Sequence, residues 1–162
     1  SLPKGGILKA RSFLEEEESP INTALFPAST SKWKVISAES SASNPENAFD
    51  GNPGTLWHTH HGEKGEIAPP QSLDIDMGEE TEIGQVLYTP RQDNSRNGIV
   101  TKYEIYVSHN PDSWGTPDAA GEFSNIYAKP ITQSIKVRPG PKGRDLRIVT
   151  REVLAASHFP VA

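Results

Sequence analysis

The chain predicts an all-β fold, an antiparallel β-sandwich, on three observations. Apolar and polar residues alternate with a period of two in several short runs, turn dipeptides separate those runs, and no amphipathic helix of any size lies between them. The clearest run is Ser72-Leu73-Asp74-Ile75-Asp76-Met77, where Leu73, Ile75 and Met77 face inward and Asp74 and Asp76 outward. A sheet with one wet face needs polar residues at this period, so the two aspartates read as a solvated strand face and not as a catalytic carboxylate pair.

In chain order, residues 1–28 differ in character from the rest and read as a linker or the tail of a preceding module. Lys4 to Ala10 holds a short strand pattern, and Glu15 to Glu18 is a charge run closed by the breaker Ser19-Pro20. Residues 29–162 read as the domain. Its first strand runs through Lys32-Trp33-Lys34-Val35-Ile36-Ser37, with Trp33, Val35 and Ser37 on one face. Pro69-Pro70 leads into the Ser72–Met77 strand, and Glu82 to Thr89 forms the next, stopped by Pro90. Arg91 to Gly98 is too polar for core. Ile99 to Ser108 alternates again through Tyr103, Ile105 and Val107, and Trp114 after the Asn110-Pro111 turn reads as a packing residue. Gly121-Glu122-Phe123, Ser134 to Val137 and Arg144 to Val149 complete the series.

A length of 162 residues, 34% of them hydrophobic, fits one globular domain with an extra segment. A net charge of -5 and a pI near 5.5, with no basic patch, disfavour nucleic acid or an anionic membrane surface as partner. No apolar run reaches membrane-spanning length. The absence of cysteine excludes disulfides and suits a bacterial exported domain or an intracellular one. No signal peptide is visible at Ser1, and a chain that begins without Met reads as a mature or excised piece.

The stretch Asn44 to His61 concentrates the chemistry. Asp50-Gly51 and Pro53-Gly54 are turn dipeptides, so Asp50, Asn52 and Thr55 bring carboxylate, amide and hydroxyl oxygens into one tight coil. That mixture suits a hard cation such as Ca²⁺; equally, it suits an Asx-turn cluster bonded only to nearby N–H groups. Beyond it, alternation would send Trp57 into the core and turn His58 and His60 outward.

The run Asn-Ala-Phe-Asp-Gly-Asn-Pro-Gly-Thr-Leu-Trp-His-Thr, from Asn47 to Thr59, resembles the signature loop of the discoidin, or coagulation factor 5/8 type C, domains, and carbohydrate-binding module family 32 in particular. The resemblance covers about Ser31 to the end and implies a discoidin-like jelly roll of the galactose-binding-domain type. It also implies a structural Ca²⁺ held by Asp50, Asn52 and Thr55 with a carbonyl from Asn47 or Ala48. For the sugar it implies His58, Arg91 after a Tyr-x-Pro strand end, and Asn97; a pyranose's paired hydroxyls suit an Arg fork and an Asn amide. His158-Phe159 stand where relatives place an aromatic platform, His61 aligns with a second rim position, and Glu39 is a further candidate. Two departures stand out. Vertebrate members usually carry a disulfide, and the Ala-Glu pair that usually completes the calcium site would fall just beyond Pro160-Val161-Ala162, so either the final strand is missing and the metal is weak or absent, or another group such as Glu152 substitutes.

The resemblance therefore implies a non-catalytic module recognising terminal galactose or N-acetylgalactosamine, a monomer tethered within a larger exported bacterial protein that degrades or captures glycans, at the cell surface, in the periplasm or outside the cell. A protein-interaction or adhesion module on the same sandwich is the alternative. Two enzyme readings are weaker. The run His58-x-His60-His61 hints at zinc, but His109 and His158 are the only other histidines; nucleophilic catalysis finds no cysteine and no Gly-x-Ser-x-Gly elbow. Taken singly, the rim residues have structural explanations: Arg91 can pair with Asp93, His58 can bond backbone, and Asn97-Gly98 is an ordinary hairpin turn.

Overall fold

The computed structural model describes residues 5–39, 41–59, 68–137 and 139–154. The chain divides into two compact units, Ser1–Lys32 and Trp33–Ala162. In the first, β1 (Gly6–Ala10) pairs antiparallel with β4 (Asn22–Phe26), and β2 (Phe13–Leu14) pairs with β3 (Glu17–Glu18). Only Glu15 and Glu16 separate β2 from β3, and Glu15 takes φ +54°, a sign two-residue hairpin turns require. The charge run thus sits at a hairpin, where Arg11 pairs with Glu18. The apolar side chains of Phe13 and Leu14 are exposed at 65% and 76%, so this hairpin has almost no core of its own.

In the second unit, β5 (Lys34–Ala38), β6 (Gln71–Glu82), β11 (Lys142–Val153), β8 (Val100–Ser108) and β9 (Ala119–Glu122) form a five-stranded antiparallel sheet in the order β5-β6-β11-β8-β9. A second layer pairs β10 (Gln133–Lys136) with β7 (Gln85–Tyr88). Leu73, Ile75 and Met77 of β6, Ile105 of β8 and Leu146 of β11 meet Ile135 of β10, with Ile83 and Val137, in one apolar core between the layers. The sandwich is thus all-β and antiparallel, as the period-two runs predict. Its strands run longer than those runs because ladder pairing continues past the last buried apolar residue: β6 reaches Glu82 opposite Lys142.

Two local readings need correction. Register shifts between Val35 and Ser37, so both cannot lie on one face; Val35 packs against the core while Ser37 donates to Asp74 Oδ2 at 2.8 Å on the other side. Asp74 does face outward, but it is not solvated. It is 3% exposed because Arg147, opposite it on β11, grips both its oxygens at 2.7 Å. Asp76 stays nearer water and is held at a pKa of about 2, chiefly by the Arg144 fork. Trp114 packs as predicted, its ring 4.5 Å from the Arg147 guanidinium, with Nε1 buried and, among the described residues, without a hydrogen-bond partner.

Ile105 is fully buried at the middle of β8. Ile105→Ala is expected to cost about 2–5 kcal/mol in urea denaturation, whereas the same change at exposed Ile36 should cost well under half of that; equal losses would contradict this placement of the core.

Candidate functional site

The loop begins with a short 3-10 turn over Pro45–Ala48, where Pro at the first turn loses no needed N–H. Asp50 then gathers the coil around its carboxylate. Oδ1 accepts the Asn52 N–H at 2.8 Å and Oδ2 the Thr55 hydroxyl at 2.7 Å, while Asn52 Oδ1 accepts the Gly54 N–H at 2.9 Å. Gly51 provides φ +76°, and the Thr55 oxygen also lies 2.8 Å from Asn52 O. These donors stabilise the ionised form, so Asp50 lies below its usual pKa, chiefly through Thr55 and then through the Asn52 N–H.

The Asx-turn cluster is therefore formed as drawn. The same carboxylate, hydroxyl and carbonyl oxygens also make a donor set that fits a hard cation. Asn47 directs its amide nitrogen to Leu56 O at 3.1 Å, and Ala48 closes the 3-10 turn, which leaves their backbone carbonyls as the groups to consider. Glu152 is committed elsewhere: its Oε1 takes Lys102 Nζ at 2.6 Å. Among the described residues no group of three or more His, Cys, Asp or Glu is placed to hold a metal. His60 and His61 lie outside the described residues, as do His158 and Phe159.

Two serines that the sequence reading passed over fix this segment, Ser43 at His58 and Ser41 at Trp57. Ser43 Oγ donates to Leu56 O and accepts the His58 N–H, both at 3.0 Å, and Ala42 N bonds His58 O at 3.0 Å. The Trp57 indole N–H reaches Ser41 Oγ at 3.0 Å while its ring packs against the core. Trp57 thus packs inward as expected, although this segment is not a ladder strand. The available signal was the hydroxyl-rich run Ser41-Ala42-Ser43 before a helix-starting Asn-Pro, the residue types that bond local backbone. His58 Nδ1 stands 3.0 Å from Thr59 O.

Arg91 follows Pro90 at the end of β7 and is held on two sides. Its Nε and Nη2 donate to the two Asp93 oxygens at 2.7 and 2.5 Å, and its Nη1 donates to the backbone oxygen of Asn97 at 2.9 Å. The structure thus brings Arg91 and Asn97 together. Asp93, which is exposed, is held at a pKa of about 2 instead of 3.8, chiefly by the Arg91 fork. The loop closes through Gly98, which takes φ +77° and donates to Leu154 O at 2.9 Å. An exposed aromatic missed by the sequence reading borders the loop: Tyr127, 63% exposed, lies under the Arg96 guanidinium at 4.7 Å.

Glu39 is placed differently. It lines a cavity of about 300 Å³ with Ser72, Tyr106, Trp114 and Arg147, a set that includes none of His58, Arg91 and Asn97. Its Oε2 accepts the Ser72 N–H at 2.9 Å.

A two-layer antiparallel sandwich with a tryptophan-anchored turn loop and an arginine braced at a strand end defines the discoidin class of binding domain. The sequence model of the F5/8 type C domain matches residues 28–158, and the chain belongs to that family. Galactose oxidase of Gibberella zeae is 33% identical over 121 residues, covering 69% of this chain but 17% of its own length. A sialidase of Micromonospora viridifaciens is 40% identical over 82 residues, covering 51% of this chain and 12% of its own. The chain thus spans about a sixth or less of these relatives. Among solved structures, a family 32 module from a Clostridium perfringens family 31 glycoside hydrolase superposes with a TM-score of 0.69 at 31% identity, covering 78% of this chain and 82% of that one. The family 32 module of C. perfringens NanJ, solved with galactose, gives 0.65 at 27% identity, covering 77% and 86%.

The brace has a direct spectroscopic signature. Because the folded pKa is depressed, the Asp93–Arg91 pair is intact above 3.8 and is lost as pH falls through about 2. A carboxyl-detected NMR titration should place the Asp93 midpoint near about 2, and Arg91→Ala should return it toward 3.8; a midpoint indifferent to that substitution would remove the pair.

Proposed function

We propose that this F5/8 type C domain is a non-catalytic carbohydrate-binding module whose rim, built from His58, Arg91 and Asn97, takes a terminal galactose or N-acetylgalactosamine residue. The observation that carries the reading is the fixed guanidinium of Arg91. Of the five N–H donors of an arginine, three are bound by Asp93 and Asn97 O, so among the described residues two remain in a held orientation for a pair of adjacent sugar hydroxyls. Holding the fork before the sugar arrives removes part of the ordering cost of binding. The galactose complex of the NanJ module, a relative of the same fold at 27% identity, supports the sugar class. The enzymes among the relatives are much longer than this chain, which supports a tethered accessory role in a larger exported protein acting outside the bacterial cell.

Calcium has a structural role in this reading. Asp50, Thr55 and the Asn52 carbonyl would hold it, with a backbone oxygen of Asn47 or Ala48, and the ion would tie the turns of the loop together. Its binding to the folded state alone would add stability by mass action.

Affinity should be weak, about 0.1–1 mM, since a shallow rim immobilises few groups and water competes for each hydroxyl. Arg91→Ala is expected to abolish galactose binding in titration calorimetry while thermal unfolding still shows a cooperative transition; unchanged binding would take Arg91 out of the site. Chelation with EDTA should lower the melting temperature while leaving the galactose affinity within about twofold. A melting temperature unmoved by chelation and by added calcium would leave the loop as an Asx-turn cluster alone.

A further inference from the structure

The outer face of the five-stranded sheet carries a bowl that the rim does not use. On β11, Arg147, Val149 and Arg151 all line the cavity of about 300 Å³. Val149 is an apolar residue only 9% exposed, set between Ser72 of β6 and Glu104 of β8. It forms an apolar floor among the polar neighbours Ser72, Glu104, Arg147 and Arg151. Pro70 and Trp114 supply apolar wall, and Glu39, Ser72, Tyr106 and the two arginines supply polar groups.

The arginines are anchored, not loose. Arg147 binds buried Asp74 through Nε and Nη2 and lies against Trp114, and Arg151 donates Nη2 to Glu104 at 2.6 Å. Tyr106 donates its hydroxyl to the same Glu104 oxygen at 2.6 Å. Glu39 lines the same bowl as an acceptor, and its charge acts on Arg147. The charges around the bowl are two guanidinium groups against the carboxylates of Asp74, Glu104 and Glu39, an excess of one negative charge that disfavours an anionic ligand.

An apolar floor, a partly aromatic wall and fixed donors and acceptors around a volume at the lower end of small-ligand sites suit one small neutral polyol. The C–H face of a pyranose would lie on Val149 and Pro70, with its hydroxyls toward Arg147, Arg151 and Glu39. β11 also connects this face to the rim loop. Leu154, whose carbonyl anchors Gly98, is three residues beyond Arg151, roughly 10 Å along an extended chain. We propose that the bowl over Val149 is a second saccharide site, selective for neutral sugars, on the outer face of the β5-β6-β11-β8-β9 sheet. The choice of a sugar as ligand rests on the carbohydrate-binding function proposed above; the bowl itself does not.

The test is a ¹H–¹⁵N NMR titration of the full chain with galactose, N-acetylgalactosamine, glucose and mannose, and with galacturonic acid as the charged counterpart. At least one neutral sugar should shift the amides of Tyr106, Gly115 and Arg147 to Arg151, and those shifts should persist in Arg91→Ala. Val149→Phe fills the bowl and should weaken them by about tenfold or more while shifts at Gln92 to Gly98 remain. Arg151→Ala, at an exposed position that leaves the Asp74–Arg147 pair intact, should do the same if Val149→Phe disturbs folding. Shifts confined to the rim loop, face shifts that survive both substitutions, or tighter binding of galacturonic acid than of any neutral sugar would overturn the second site and leave the rim reading standing. Face shifts with a silent rim loop would uphold the bowl and overturn the rim. Silence everywhere would overturn both.

Discussion

The register of β11 between β6 and β8 is the constraint on which the larger unit depends. Leu146 stands opposite Ile75 on one side and Val107 on the other, which sends all three to the interior. The same alternation sends Arg147 to the other face, beside Asp74 and Tyr106. A slip of one residue would bury a guanidinium in the core and expose the leucine, so the hydrophobic face and the ion pair specify one alignment together. Asp74 adds specificity because its carboxylate is desolvated and loses heavily if Arg147 and Ser37 do not meet it.

From this frame the loops inherit fixed endpoints. Tyr88, at the end of β7, is pushed to a pKa of about 12 by burial and accepts the Val100 N–H, which ties the two ends of the Pro90–Ile99 excursion across its base. Arg91 can then be braced within a loop only a few residues long. On the other excursion, Trp33 meets Phe49 with ring centroids 5.7 Å apart, so the first strand of the unit backs the turn that carries Asp50. Rigidity at both places comes from side-chain bonds to neighbouring side chains and backbone groups.

What the sequence revealed followed from how local each signal was. The β6, β8 and β11 strands were legible because Leu73, Ile75, Ile105 and Leu146 repeat at a period that only a half-buried strand requires. The Asp50 coil was legible because Gly51 and Pro53-Gly54 limit the backbone to tight turns. Asp74 was misjudged because the group that buries it lies 73 residues away, and nothing near Asp74 announces Arg147. The face of Ser37 was misjudged because a bulge leaves no trace in a simple alternation. In the candidate site, Arg91 and Asn97 were suggested by family resemblance, whereas the roles of Ser41 and Ser43 depend on a chain reversal that spacing does not encode. The bowl over Val149 was invisible for the same reason: its lining is drawn from Glu39 after β5, from β6, β8 and β11, and from the Trp114 turn.

The brace on Arg91 has an environmental consequence. A guanidinium stays charged throughout the biological range, and its partner Asp93 stays ionised down to about 2, so neither member of the pair changes state in weakly acidic surroundings. A weakly acidic medium would leave the orientation of this donor untouched. Any contact resting on that donor would be indifferent to acidity across the range in which ordinary carboxylates take up a proton.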